Sequence, residues 1–417
     1  MHCLWLTWID PAPEHDGQRI YSGRMIDAVA ARGVKIDILC FHSESVRERG
    51  QSEDPVRWWL VPRDERPGWW SVFSRLPNLS HRCDTLAMRR GFRDLLERRV
   101  WDTIVMDGLS TGWALDIIDA YFGDGPDRPR LIYISHNHEE TTRALVADNF
   151  TGNPLMAAAL KIDARKATLL EHRMMDSVDV ISAVTPEDAE RFSARVPQKP
   201  VFVLSPGYGG RRVPSRRIGP HVPRRALLVG SFEWLAKQMN LTEFLSAADP
   251  IFAEAGAEIQ VVGNGERGFF DRLRPQLKGT EIVGPVDDIR PYLDNARVAI
   301  LPERSGGGFK VKMLDYVFNR IPVAALENSF AGVPLTSKKN VLTFNSHEAL
   351  ARGVVEIIDN FDLLNGLQQD AYDACADEFD WSQRGETLVA MMKKPLLNRN
   401  SRRVATSLPN SIMTVLP

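Results

Sequence analysis

The stretch that decides the fold is ARVAILPERSGGGFKVKMLDYVFNRIPVAAL, residues 296–326. It begins and ends with short apolar runs typical of buried strands, and between them it carries three successive glycines and an amphipathic segment. Strand, loop, helix and strand in this order predict a βαβ unit of a parallel sheet. Ligands bind beyond the carboxyl ends of such strands, so we expect the glycine loop to lie at a binding site.

Both halves of the 417-residue chain repeat this alternation of apolar runs and longer helical patterns. Between the halves, residues 204–225 are rich in Gly, Pro and Arg and predict a linker. We therefore predict an α/β protein with two Rossmann-like domains, at residues 1–205 and 226–376, joined by a linker at 206–225. The polar stretch 395–417 has no clear period and is expected to be a frayed, disordered tail.

The composition is that of a globular protein, 44% hydrophobic and 25% charged, with a formal net charge of −2. A charge this close to zero argues against sequence-independent binding to nucleic acid, which needs a surplus of Lys and Arg. The four cysteines are scattered without metal-ligand spacing, and neither a signal peptide nor an apolar run of ~20 residues is recognisable. These features predict a cytoplasmic protein without a structural zinc site.

The glycine loop has the chemistry of an anion site. Glycines without a Cβ let backbone N–H groups approach a phosphate, and the following helix start adds its positive dipole end. Lys310 and Lys312 supply two cations, as a diphosphate requires, and Asp315 shares a helix face with Lys312, where it can accept hydrogen bonds from a ribose. A surface loop before a solvated helix would look similar. The three glycines are Gly306, Gly307 and Gly308.

Two other segments allow two interpretations each. Residues 57–78 hold two Trp pairs beside several arginines, which suits a membrane interface but also an insertion packed onto the first domain. The linker arginines are either solvated or face a phosphate-bearing ligand in the cleft between the domains. They are Arg211, Arg212, Arg216, Arg217, Arg224 and Arg225.

The segment SGGGFKVKMLDYVFNRIPVAAL resembles the donor-site signature of retaining GT-B glycosyltransferases of family four, the glycosyl transferases group 1, of the bacterial polysaccharide type. The resemblance implies that Lys310, Lys312 and Asp315 bind the diphosphate and ribose of a nucleotide sugar. Two departures stand out: Gly307 occupies the position where many relatives carry a first glutamate, and Asp315 replaces a second one. The resemblance leaves open which residue contacts the hydroxyls of the donor sugar.

Other segments resemble the family in the expected order. The resemblance implies donor contacts from the first loop of the N-terminal domain and from three loops of the second domain. It also implies that a closing helix at 377–394 returns to the N-terminal domain. The implied donor-binding residues outside the glycine loop are Gly17, Lys237, Gly263 and Val286.

The segment LIYISHNHEETTR places His136 directly after a strand, at the lip of the cleft. A histidine there is often structural, but its place in the family pattern favours a catalytic residue that hydrogen-bonds the sugar or the acceptor. The same resemblance assigns Asn137, Glu139 and Arg143 to acceptor binding.

The resemblance implies a retaining, metal-independent transfer of a sugar from a nucleoside diphosphate to an acceptor hydroxyl, with no cofactor. The expected partners are a nucleotide sugar and a saccharide or lipid-linked saccharide of exopolysaccharide or lipopolysaccharide synthesis, at the inner face of the cytoplasmic membrane. Two alternatives stay open: a nucleotide-sugar epimerase of GT-B type, which would need no acceptor, and a non-catalytic binding protein that keeps the fold.

Overall fold

The computed structural model describes residues 1–14, 16–42, 55–123, 125, 127–303, 307–327 and 329–394. The described chain forms two separate parallel β-sheets, one from each half of the sequence. The predicted α/β architecture of two Rossmann-like domains is therefore confirmed. Gly306 and the tail 395–417, both named in the predictions above, lie outside the described residues.

The strands follow the apolar runs of the sequence. The first sheet contains β1 His2–Ile9, β2 Lys35–Phe41, β3 Val56–Val61, β4 Thr103–Asp107, β5 Arg130–Ser135, β6 Val180–Ala183 and β7 Val201–Val203. The second contains β8 Arg225–Val229, β9 Glu258–Val262, β10 Thr280–Gly284, β11 Val298–Leu301, β12 Val323–Leu326 and β13 Leu342–Phe344.

Helices connect most of the strands. In the first half they are α1 Gly17–Ala30, α2 Asn78–Cys83, α3 Leu86–Arg98, α4 Leu115–Phe122, α5 Glu139–Asn149, α6 Pro154–Ser177 and α7 Pro186–Arg195. In the second half they are α8 Leu235–Glu254, α9 Arg267–Leu273, α10 Arg290–Asp294, α11 Lys312–Phe318, α12 His347–Ile357, α13 Phe361–Cys375 and α14 Trp381–Lys393.

Each sheet is buried on both faces, as its continuous apolar strands require. In β1, Leu4 and Leu6 belong to one apolar cluster while Cys3 and Trp5 belong to another on the opposite face. This alternation follows from the two-residue period of a strand.

The order of the strands in each sheet predicts where ligands bind. The first sheet runs β3-β2-β1-β4-β5-β6-β7, and the second runs β10-β9-β8-β11-β12-β13. The chain therefore reverses direction across the sheet between β1 and β4, and again between β8 and β11. Ligands of open parallel sheets bind beyond the carboxyl ends of the strands at such switch points. The loop that follows β11 is the glycine loop of the sequence analysis.

The last helix, α14, packs on the first half of the chain. Leu388, Val389 and Met392 join the apolar cluster formed by α1 and β2. A Cβ on Gly385 would lie 2.5 Å from the carbonyl oxygen of Ala28, so α14 lies against the backbone of α1. The far end of the chain thus packs on the N-terminal sheet.

Most of the linker arginines bind protein groups. Arg212 donates to the carbonyls of Ala376 and Glu378, and its guanidinium lies 3.8 Å from the ring centroid of Phe318. Arg216 donates to the carbonyls of Asp294 and Ala296. These contacts pin the linker to the second domain.

The two Trp pairs of residues 57–78 have different environments. Trp58 and Trp59 lie in β3 and are partly buried; Trp59 donates to Asp37 at 2.9 Å and has Arg98 over its ring. Trp69 and Trp70 lie in a short 3₁₀ helix, Gly68–Phe73, and are 65% and 49% exposed. Trp58 and Trp59 thus fit the packed insertion, and membrane contact of the exposed pair stays a prediction.

Candidate active site

A buried carboxylate marks the switch point of the second sheet. Glu303 follows β11 and Pro302, and its side chain is 9% exposed. Oε1 forms an ion pair with Nζ of Lys312 at the start of α11. Gly230, which follows β8, and Lys237 of α8 line the same small recess as Glu303 and Lys312. The predicted donor residues Lys237 and Lys312 are thus brought together around a glutamate.

We call Lys237, Lys310 and Lys312 around Glu303 the lysine cluster. Burial and the charges of these side chains shift the pKa values of Lys237, Lys310 and Glu303. Burial lowers the pKa of Lys310 to about 8, and burial together with the charge of Lys312 lowers the pKa of Lys237. Burial acts to raise the pKa of Glu303, but Lys312 and Lys310 hold it below its ordinary value. Three lysines therefore face one carboxylate, and the excess positive charge suits an anionic ligand.

The second carboxylate oxygen of Glu303, Oε2, is not engaged by Lys312. Among the described residues, no hydrogen-bond partner reaches Oε2 of Glu303, although that atom is buried. Glu303 also lines a cavity of about 690 Å³ between the two domains. An unpaired buried carboxylate oxygen costs stability, so its presence at a cavity indicates a place for a hydrogen-bond donor from a ligand.

The glycine loop packs directly on the N-terminal domain. A Cβ on Gly307 would lie 2.1 Å from Oγ1 of Thr142, and one on Gly308 would lie 2.4 Å from the carbonyl oxygen of His136. Gly308 also has a φ of +69°, which favours glycine. The sequence predicted that these glycines make room for a diphosphate. In the structure Gly307 and Gly308 make room for the other domain, and their contact with a diphosphate stays a prediction.

The lysine next to these glycines lies within the same loop. Lys310 donates to the carbonyl of Gly307 at 2.7 Å and lines the interdomain cavity. Lys310 thus lines the cavity and is close enough to Glu303, Lys237 and Lys312 for their charges to act on its pKa.

Asp315, three residues after Lys312 on α11, makes its contacts with the linker. Its carboxyl lies near the hydroxyl of Tyr208 in the linker, and that hydroxyl donates to the carbonyl of Arg211 at 3.2 Å and accepts from Asn319 at 3.3 Å. Burial raises the pKa of Asp315 from 3.8 to about 6, and the Tyr208 hydroxyl offsets part of the rise. The predicted ribose ligand is thus held beside the linker.

We expect the change Asp315→Asn to stabilise the protein above pH 6. The folded protein holds a proton on Asp315 up to about pH 6 and the unfolded chain only up to about pH 4, so the ionised carboxyl reduces stability as pH rises through this window. A shift of roughly two units corresponds to about 2–3 kcal/mol. Denaturant unfolding of both proteins from pH 4 to 8 checks this; a difference that does not grow between pH 4 and 6 contradicts it.

A histidine and an aspartate meet at the switch point of the first sheet. His136, after β5, hydrogen-bonds through Nε2 to Oδ1 of Asp107 at 2.6 Å. Asp107 ends β4, is fully buried, and also accepts from Nε1 of Trp5 at 3.0 Å. The ring of Tyr21 meets the imidazole edge to face at 5.3 Å. These contacts fix the orientation of the imidazole ring next to the glycine loop.

The three predicted acceptor residues separate into two groups. Asn137 lies against the glycine loop, 2.5 Å from the position of a Cβ on Gly308. Arg143 instead donates to Glu139 at 2.8 Å and to Asp163 at 3.3 Å, and so joins α5 to α6. Glu139 and Arg143 are thus engaged with each other, and their acceptor role stays a prediction.

The other predicted donor residues lie in loops at the ends of the strands. A Cβ on Gly17 would lie 3.4 Å from Val311, so the first loop touches the start of α11. Gly263, with a φ of +133°, lets the loop after β9 approach the carbonyl of Gly230. Val286 is partly buried against the cluster around α11. The donor role of these three residues stays a prediction.

The 690 Å³ cavity has walls from both domains. The first domain contributes α5 and the start of α7, and the second contributes the glycine loop and the segment that follows β12. The sequence alone predicted neither the start of α7 nor the segment after β12 as part of a site. The polar residues that line the cavity include Thr141, Thr142, Thr185, Asp188, Arg191, Glu327 and Ser329.

Two central residues were missed in the sequence, although each carried a usable signal. Glu303 comes two residues after β11, and Asp107 is the last residue of β4. Both strands border a switch point, so a carboxylate at their carboxyl ends is a candidate site residue. The family pattern expects the first glutamate at position 307, so it does not predict a role for Glu303.

Comparison with known proteins agrees with this architecture. Residues 16–207 match the model of the glycosyl transferase 4-like domain, and residues 223–360 match that of glycosyl transferases group 1. No curated protein matches the chain in a sequence search.

Solved structures share the fold. Sucrose-phosphate synthase from Thermosynechococcus elongatus is 14% identical, with a TM-score of 0.70 over 98% of this chain and 100% of that one. WaaG, a glycosyltransferase involved in lipopolysaccharide biosynthesis, is 15% identical, with a TM-score of 0.66 over 94% and 100%. Anabaena HepE, in complex with UDP and glucose, is 12% identical, with a TM-score of 0.63 over 94% and 99%.

Two Rossmann-like domains with facing switch points define the GT-B architecture. The two family models fall one on each domain, and both describe glycosyltransferase domains.

Proposed function

We propose that the protein transfers a sugar from a nucleoside diphosphate sugar to an acceptor hydroxyl, with retention at the anomeric carbon. The observation that carries this proposal is the arrangement of Lys237, Lys310 and Lys312 around Glu303, opposite the His136–Asp107 pair of the other domain. One side offers positive charge for a diphosphate, and the other offers an oriented imidazole.

The lysine cluster would stabilise the leaving group. The bond from the anomeric carbon to the phosphate oxygen breaks, and the diphosphate gains negative charge in the transition state. Preorganised cations in a buried site stabilise such charge more strongly than water does. Lys310 and Lys312 supply this charge, and Lys237 lies beside them. Asp315 accepts hydrogen bonds from the ribose in this arrangement.

Glu303 is our candidate for the contact with the donor sugar. Its Oε1 holds Lys312, and its unpaired Oε2 is available to accept a hydrogen bond from a sugar hydroxyl. Glu303 thereby takes the role that relatives give to a glutamate at position 307, where Thr142 leaves no space for a side chain.

The acceptor would attack from the face that the diphosphate leaves. A bond forms between the acceptor oxygen and the anomeric carbon, and the acceptor proton passes to a phosphate oxygen. His136, held by Asp107, hydrogen-bonds the sugar or the acceptor at the cleft. The contacts of Gly307 and Gly308 with the first domain keep water from the reacting carbon.

We further propose a lipid-linked saccharide as the acceptor, in bacterial exopolysaccharide or lipopolysaccharide synthesis. The 690 Å³ cavity is large enough for a sugar residue and is lined by hydroxyl, carboxylate and guanidinium groups suited to its hydroxyls. Two fold relatives, WaaG, which is involved in lipopolysaccharide biosynthesis, and HepE in complex with UDP and glucose, support this choice of pathway and donor class.

A donor screen tests the proposal. We expect one of UDP, GDP, ADP or dTDP to raise the melting temperature, because a ligand that binds only the folded protein stabilises it. The matching nucleotide sugar should then release its diphosphate only when a saccharide acceptor is present. A changed sugar without an acceptor would indicate epimerisation, and binding without turnover with any acceptor would indicate a binding protein; either result overturns the proposal.

A further inference from the structure

The 3₁₀ helix Gly68–Phe73 exposes most of its apolar side chains. Trp69 is 65% exposed, Trp70 49%, Val72 46% and Phe73 79%. Trp69 and Trp70 stack with ring centroids 4.6 Å apart. A cluster of large exposed aromatic side chains is uncommon on a monomeric soluble surface and marks an interaction site.

This helix is held firmly in place. Lys166 of α6 donates to the carbonyls of Ser71 at 2.7 Å and Val72 at 2.9 Å. Asn78 donates to the carbonyl of Gly68 at 3.0 Å, and its own backbone N–H is bound by Asp163 of α6. The aromatic side chains are therefore presented by an ordered scaffold rather than by a loose loop.

The exposed face of α6 extends the apolar surface. Leu155, Ile162 and Leu169 are spaced seven residues apart and are 82%, 40% and 70% exposed. At 3.6 residues per turn they lie within about 60° of Lys166, the residue that holds the 3₁₀ helix. We call the exposed residues of Gly68–Phe73 together with this stripe the docking face.

Positive charge surrounds the docking face. Arg75, Lys161 and Arg165 are exposed. Within the described part of the chain, no ion pair engages any of the three. Their charges are available to a partner, and their sign indicates an anionic one.

A depression of about 430 Å³ opens beside the aromatic residues. Arg66, Trp70, Phe73 and His81 line it. His81 is 6% exposed, and neither ring nitrogen has a hydrogen-bond partner among the described residues. Arg66 also donates to Asp84 at 3.2 Å, which fixes its guanidinium beside the unpartnered imidazole. Together the two groups offer N–H donors to a phosphate oxygen.

We propose that the docking face binds the surface of an anionic phospholipid bilayer, with Trp69, Trp70 and Phe73 at the level of the headgroups. Tryptophan prefers this interface because its ring is apolar and its N–H is polar, and neighbouring cations attract anionic lipid. The Arg66–His81 depression receives a lipid phosphate.

This inference rests on the proposed function and deepens it, since a lipid-linked acceptor lies in the membrane that the docking face would bind. Helix α5 links the two places: Thr141, Thr142 and Leu145 line the interdomain cavity, and His172 of α6 hydrogen-bonds Glu140 of α5 at 2.9 Å. Binding at the docking face would bring the cavity close to the bilayer.

Co-sedimentation of the full chain with vesicles tests the proposal. We expect binding to vesicles of phosphatidylcholine with phosphatidylglycerol, little binding to phosphatidylcholine alone, and weakening by salt. The variant Trp69→Ala/Trp70→Ala/Phe73→Ala should bind at least about tenfold more weakly. The control Leu86→Ala/Val100→Ala/Tyr121→Ala removes side chains that are 67%, 82% and 48% exposed elsewhere and should bind normally.

The outcomes separate the alternatives. Absence of vesicle binding by the unchanged protein, or equal losses in the two triple variants, overturns the proposal. So does a stable dimer in light scattering that the first triple variant breaks, because the docking face would then contact a second copy. The melting temperature with nucleotide reports on the donor site without vesicles, so the proposed function and the docking face can fail separately.

Discussion

Replacing Lys312 by alanine is expected to abolish sugar transfer and also to lower the free energy of unfolding by about 3 kcal/mol. Transfer is lost because the cation nearest Glu303 at the proposed diphosphate site is removed. Stability falls because the buried Glu303 carboxylate loses its ion-pair partner. The sequence alone predicts only the first effect, since it does not reveal that Lys312 neutralises a buried charge.

A second substitution separates the two effects. Glu303→Gln in the Lys312→Ala background removes the buried carboxylate that has lost its bonded partner, so most of the stability should return while transfer stays absent. Denaturant unfolding and a donor-release assay on both variants measure this. Near-normal turnover of Lys312→Ala would contradict the donor-site assignment. An unchanged free energy of unfolding would show that the ion pair with Glu303 contributes little to stability.

Replacing Gly308 by alanine is expected to impair the contact between the domains. The added Cβ would lie 2.4 Å from the carbonyl oxygen of His136 and 2.5 Å from Oδ1 of Asn137, at a φ of +69°. Strain of this kind costs about 1–3 kcal/mol unless the domains separate. If they do, His136 moves away from the lysine cluster, and transfer should fall by at least about tenfold.

Gly366→Ala is the matched control for this change. Gly366 lies within α13, is exposed, and has no atom within 4 Å of the position of an added Cβ. Alanine is the better helix former, so this variant should gain up to about 1 kcal/mol and keep full activity. Equal effects of the two glycine substitutions on stability and transfer would contradict the packing role of Gly308.

The resemblance left one position unexplained, and packing accounts for it. Many relatives carry a glutamate where this chain has Gly307, and the sequence offered no reason for the difference. In the structure, Thr142 of the other domain occupies the space of a side chain at Gly307, while Glu303 lies buried among the lysines. A single sequence cannot show this, because Thr142 and Gly307 are distant in the chain and meet only in the folded protein.

The two Trp pairs also show that a local sequence pattern does not predict burial. Both pairs stand beside arginines in one short segment, and local pattern gives them the same two interpretations. Pairing of β3 with β2 partly buries Trp58 and Trp59, whereas Trp69 and Trp70 are exposed on the 3₁₀ helix that Lys166 of α6 holds. Burial depends on which distant elements pack nearby, and the local sequence does not specify that.

The sequence by itself determined the two parallel sheets and the position of the lysine-bearing loop after a strand. Both follow from local periods of apolar residues and from the general placement of ligands at strand ends. Only the tertiary structure brought Asp107 to His136 and Glu303 to the lysines. It also set the glycines against the other domain. Those relations are contacts between residues from different elements, and they exist only once the chain has packed.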